Sequence, residues 1–171
     1  KNSKGILNRM KGTERALRLC QSAKRESEQF FDRVVNYAGG EHQTRLLGDG
    51  AGFEDTLSMA LNDLGVEVEG LRAGERSLEE TMELTSIGKR TQDLASTISW
   101  ILQANDENYV YWAEVGRNKG QVEINARPLD VSEQLRDSLF EAAETVVATS
   151  ATLSVGGQTG LAPFMRDVGM E

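Results

Sequence analysis

A change of hydrophobic period near residue 109 constrains this chain more than any other feature. Ahead of that point apolar residues recur at alternating spacings of four and three, which draws a stripe along a helix of about 3.6 residues per turn. Beyond it they alternate with polar residues, as in a strand with one buried face. A chain with both patterns in that order folds as a helical part followed by a β element, because each pattern needs its own kind of packing partner.

Three segments carry the helical pattern. The first stripe, Ile6, Met10, Thr13, Leu17, Cys20, Lys24, Ser27, Phe31, Val34 and Ala38, predicts one long helix stopped by Gly39-Gly40. Lys24 and Ser27 interrupt the stripe and predict a bend or a polar middle. The glycine-rich residues 39–52 read as a flexible loop. The second stripe is Phe53, Leu57, Leu61, Leu64, Val68 and Leu71, with Gly65 and Gly70 predicting a stop near Leu64. The third opens on Ser77 with Glu80 three residues on, a capping box in which each side chain satisfies a free amide. Leu84, Ile87, Thr91, Leu94, Ile98 and Ile101 continue it. Three narrow seams are buried together by an antiparallel bundle.

Tyr109–Val115 is aromatic and β-branched, and Val122, Ile124 and Ala126 form the returning strand of a hairpin that Pro128 ends. Asp130 and Glu133 flank a short helix carrying Val131, Leu135 and Leu139. Thr145–Thr149 is apolar on both faces and predicts a strand buried on both sides. A strand of that kind recruits neighbours, so it is expected to pair with the hairpin or, as a dimer contact, with a second copy. A loop then leads to a last helix over Leu161–Val168. The expected fold class is mainly α (α+β): an antiparallel helical bundle with a small β element made of a hairpin and one further strand.

Composition excludes several classes. The chain has a net charge of −8, which does not suit a uniform nucleic-acid coat. No apolar run approaches the roughly 20 residues that cross a bilayer, so no membrane association is expected and the location is expected to be cytoplasmic. Starting at Lys1, the chain reads as a piece of a longer protein. One cysteine, Cys20, and one histidine, His42, leave no set of metal ligands and no disulfide, and no metal site is expected. Cys20 falls on the first stripe and is expected buried; His42 is expected exposed in its loop. Trp100, Tyr109, Tyr111 and Trp112 are expected to pack the hairpin and core rather than stack on bases. No phosphate-binding loop or dinucleotide fingerprint is present. Charge is uneven, however. Residues 1–37 carry nine basic and four acidic side chains, a net of +5, and the remainder carries ten and twenty-three, a net of −13. Lys24, Arg25 and Arg33 are therefore candidate phosphate contacts.

The run Thr149-Ser150-Ala151-Thr152-Leu153, after an apolar β-branched segment, resembles motif III of superfamily 2 helicases. The flanking Tyr-Val-Tyr-Trp hairpin, Pro128-Leu129-Asp130-Val131-Ser132 and the closing Phe164 to Gly169 resemble the DinG branch of the XPD/DinG DNA helicases. The resemblance covers residues 109–171 by motif and residues 1–104 by position, since a helical insertion, the arch, precedes motif III in that family.

The resemblance implies a division into an arch-like insertion, residues 1–104, and part of the first motor domain, residues 105–171. It implies an ATP-dependent DNA helicase as the whole protein, with DNA and the remaining motor domains as partners. ATP and magnesium would be held by a Walker A loop and acidic box that this sequence lacks, so the chain alone holds no cofactor and no catalytic residue. The family's clustered iron–sulfur cysteines lie upstream and are not part of this stretch. Thr149, Ser150, Ala151 and Thr152 would couple nucleotide state to strand movement, the Ser150 and Thr152 hydroxyls donating and accepting in turn. The competing expectation is a non-enzymatic helical protein-interaction module.

Overall fold

The computed structural model describes residues 5–48, 52, 54–74, 76–117, 121–149 and 160–170. Among the described residues six α-helices and three strands follow one another: α1 Ile6–Arg9, α2 Glu14–Ala38, β1 Thr44–Leu46, α3 Thr56–Gly70, α4 Leu78–Gln103, β2 Tyr109–Val115, β3 Val122–Pro128, α5 Ser132–Leu135 and α6 Ala162–Asp167. The chain is mainly helical with a small antiparallel sheet, as the two periods require. Two compact units result, Lys1–Asn105 with Tyr111–Ala126, and Asp106–Val110 with Arg127–Glu171. That division differs from a boundary at 104/105, because most of the hairpin belongs with the helices.

The single helix expected over 6–38 is two. α1 ends where Met10 turns extended at φ −96° and ψ 155°, Gly12 then turns the chain at φ +73°, and the Thr13 hydroxyl donates to the Leu7 carbonyl at 2.7 Å. α2 closes on Gly39 at φ +95°, the expected left-handed cap. Its buried seam is Ala16, Ala23, Phe30, Val34 and Ala38, one position out of register with the expected stripe through its middle. Cys20 is consequently exposed rather than buried. The sequence stripe gave weight to large apolar residues, whereas the helix buries alanines so that its neighbour can come close.

α3 runs through Gly65 to Gly70 instead of stopping near Leu64. The Asp55 carboxylate caps it by accepting from the Ser58 amide at 3.1 Å. α3 packs against both α2 and α4. Arg15 reaches Glu67 at 3.2 Å, while Arg33 reaches Thr56 at 3.1 Å, so α2 and α3 run antiparallel. Gly65 of α3 faces Gly88 and Gln92 of α4, and Gly88 faces Glu69, so this pair is antiparallel as well. The capping box at Ser77 is present in full. α4 buries Leu84, Gly88, Ala95, Ile98 and Ile101 but leaves Leu94, expected in the seam, 51% exposed. Phe30, Val34, Val68 and Leu84 are the largest fully buried side chains, each stabilising by roughly 1.5–3 kcal/mol.

The sheet has the order β1-β2-β3. β2 and β3 are the expected hairpin, with Tyr111, Ala113 and Val115 facing inward. The Tyr111 ring meets Trp100 of α4 edge-on at 5.4 Å, which confirms a packing role for both. β1 lies inside the segment expected to be a flexible loop, where Thr44, Arg45 and Leu46 pair with Glu114, Ala113 and Trp112. All three β1 residues are exposed, so no alternation announced the strand.

In the second unit α5 continues as one π-helical turn, Arg136–Phe140. Asp130 accepts from the Ser132 amide at 2.8 Å, and Arg136 donates to the Gly169 carbonyl at 3.0 Å. Thr145–Thr149 is not a strand, and Val147 is 81% exposed. The expected burial on both sides fails because a strand exists only beside another strand, and the three-stranded ladder does not include this segment.

Candidate nucleic-acid interface

α2 presents the densest cluster of exposed cations. Arg18, Gln21, Lys24, Arg25 and Glu28 line one shallow depression on its outer side. The helix builds this face from its own geometry: residues 18, 21, 25 and 28 recur at three- and four-residue spacings and so share one side, opposite the buried Ala16, Ala23 and Phe30. Among the described residues neither Arg18 nor Arg25 has an ion-pair partner. Lys24 meets Glu28 at 3.9 Å in an exposed pair of little energetic weight.

The expected trio of Lys24, Arg25 and Arg33 is only partly brought together. Lys24 and Arg25 belong to this face. Arg33 does not: it is half-buried, its Nη2 donates to Thr56 Oγ1 at 3.1 Å, and its Nε is buried without a hydrogen-bond partner. That geometry ties the start of α3 to α2. Sequence reasoning missed Arg18, although its seven-residue spacing from Arg25 was visible.

Other basic residues of the first segment lie beside carboxylates. Arg9 lies 3.9 Å from Glu83 and Arg15 lies 3.2 Å from Glu67. The usable positive face is therefore smaller than the +5 count implies. His42 is exposed, as expected, at φ +62°.

Of the motif III residues, Thr149 is exposed and outside regular structure, while Ser150, Ala151 and Thr152 lie outside the described residues. Among the described residues no helix is long and apolar enough to cross a membrane. No protein-family model, curated protein or solved structure matches this chain.

Proposed function

We propose that this chain is the DNA-gating arch and adjoining motif III segment of an ATP-dependent DNA helicase similar to the DinG branch. The observation that carries the reading is an order of elements: an antiparallel helical part, an aromatic hairpin, and an apolar β-branched run leading into Thr149-Ser150-Ala151-Thr152. The exposure of that run supports it, since Val147 is apolar yet 81% open, as suits a strand whose neighbours come from the rest of a motor domain. The same edge also suits pairing with a second copy. Arg18, Lys24 and Arg25 on α2 would meet DNA phosphates, and Ser150 and Thr152 would relay nucleotide state. ATP and magnesium would bind the remainder of a cytoplasmic helicase, the chemistry of phosphoryl transfer being supplied there.

The test uses the full helicase carrying Ser150→Ala and Thr152→Ala. Each lost hydrogen bond is worth about 0.5–1.5 kcal/mol, enough to bias a two-state switch several-fold without unfolding the domain. ATP binding should persist while unwinding of a forked duplex falls further than DNA-stimulated hydrolysis does. Equal losses, or none, would remove motif III from the reading.

The second reading, a helical interaction module, is favoured by an open groove between α3 and α4 lined by Leu61, Leu64, Ile87 and Leu94. It expects no selective loss in the Ser150/Thr152 variant.

A further inference from the structure

The two edges of the sheet are not alike. On the β1 edge the chain covers its own backbone: the Tyr37 hydroxyl donates to the Leu46 carbonyl at 2.6 Å, and Arg45 donates to the Tyr37 carbonyl at 2.9 Å while stacking on its ring. β3 forms the other edge, and among the described residues no strand pairs with its far side. A row of unpaired amides and carbonyls is a template for a further strand.

Beside that edge lies a groove formed by Ser27, Glu28, Phe31, Asp32 and Val35 of α2 with Val122 of β3. Its floor is apolar, made by Phe31, Val35 and Val122, all half-buried. The Phe31 ring is held edge-on against the fully buried Phe30 at 5.2 Å, so the floor is anchored to the core. The rim is acidic, with Glu28 and Asp32 both exposed and Asp32 without an ion-pair partner among the described residues.

We infer that this groove and the β3 edge together receive an extended peptide segment from a partner protein, one that carries apolar and basic residues in turn along a single face. Backbone pairing to Val122–Ala126 supplies the attachment. On the face turned toward α2, apolar side chains enter the Phe31–Val35–Val122 floor and basic ones two residues along meet Asp32 and Glu28. The inference does not depend on the helicase reading, since it uses neither motif III nor any cation of α2.

The test takes the whole chain and three short labelled peptides: a Val-Ser-Lys-Ser repeat (the Val–Lys peptide), a Val-Ser-Glu-Ser repeat (the Val–Glu peptide), and the Val–Lys peptide N-methylated at alternate residues. Fluorescence anisotropy should show the Val–Lys peptide binding roughly tenfold tighter than the other two, a difference of about 1.4 kcal/mol. Hydrogen exchange should slow at outward-facing amides of Val122–Ala126 on binding. The exposed substitution Asp32→Lys should weaken the Val–Lys peptide roughly threefold, while Glu79→Lys, with the same change in net charge, should not. Four results would overturn the inference: no Val–Lys binding, equal binding of the Val–Glu peptide, equal binding of the N-methylated peptide, or equal effects of the two charge substitutions. Protection of β3 without peptide, in a chain that sediments as a dimer, would assign the edge to a second copy instead.

Discussion

Replacing Gly65 by alanine isolates the contact on which the α3–α4 pair depends. In an open helix this change stabilises, because alanine restricts the unfolded chain and favours helix by about 1 kcal/mol. At Gly65 the added Cβ would stand 2.7 Å from Gln92 Cγ, 3.1 Å from the Gly88 carbonyl oxygen and 3.4 Å from the Gln92 amide nitrogen. Two of these are backbone atoms of α4 and cannot turn aside. Gln92 is restrained too, since its Nε2 lies 3.4 Å from Glu69 Oε2, and Glu69 in turn covers Gly88, whose own Cβ would come within 2.7 Å of Glu69 Cγ. The helices must separate, and overpacking of this kind costs roughly 1–3 kcal/mol. Set against the propensity gain, the net loss is about 1 kcal/mol or somewhat more. Gly70 supplies the control: it is right-handed helical at φ −60°, and a Cβ there meets nothing within 4 Å. Gly70→Ala should raise the midpoint of urea unfolding and Gly65→Ala should lower it, with the slope unchanged in both. Equal stabilisation by the two substitutions would refute the close crossing.

Three further predictions concern local structure. Hydrogen bonds to the Ser77 amide and then to its side chain hold the Glu80 carboxyl below its usual range. Its contribution is therefore complete above the unfolded pKa and lost as pH falls through the folded one, so Glu80→Gln should flatten the acid limb of a thermal-stability profile. Ser77→Ala should lower stability by about 1 kcal/mol in the same melts. Gly169→Ala should destabilise the second unit, seen as faster amide exchange over Ser132–Phe140, because φ is +77° and the new Cβ would lie 2.1 Å from the Ser132 carbonyl oxygen.

What could be read from the sequence was what large or capping residues announce. The change of period at residue 109, the bounds of β2 and the Ser77–Glu80 box all rest on such residues, and the structure has them. The seams between helices were misplaced because their closest contacts are made by residues that carry little hydrophobic weight. Ala16 and Ala23 lead at seven-residue intervals to Phe30, and Gly88 and Ala95 repeat that interval on α4. A search for small residues in heptads would have found these seams and set Cys20 and Leu94 outside them. β1 gave no pattern because all its side chains are exposed, and its existence depends on an edge that β2 offers. Thr145–Thr149 erred in the opposite direction: its composition suits a strand, but composition supplies no neighbour.

The cationic face shows why position outweighs a charge count. Arg18, Arg25 and Asp32 recur every seven residues on one ridge of α2, so the sign changes along it and the acidic end passes into the groove beside β3. The positive stretch spans residues 18 to 25, about 10 Å at helical rise, which is room for two or three phosphates. Single-stranded DNA binding to this face should therefore weaken with salt at a logarithmic slope of about −1.4 to −2, well short of the value that nine cations would give. Arg18→Glu with Arg25→Glu should abolish that binding at low salt. Arg33→Ala should leave it unchanged and instead lower the melting temperature, because its hydrogen bond to Thr56 serves the packing of α3 on α2. A steeper slope, or a loss of binding on replacing Arg33 without loss of stability, would mean that DNA engages the buried side of the helix only after α2 and α3 part.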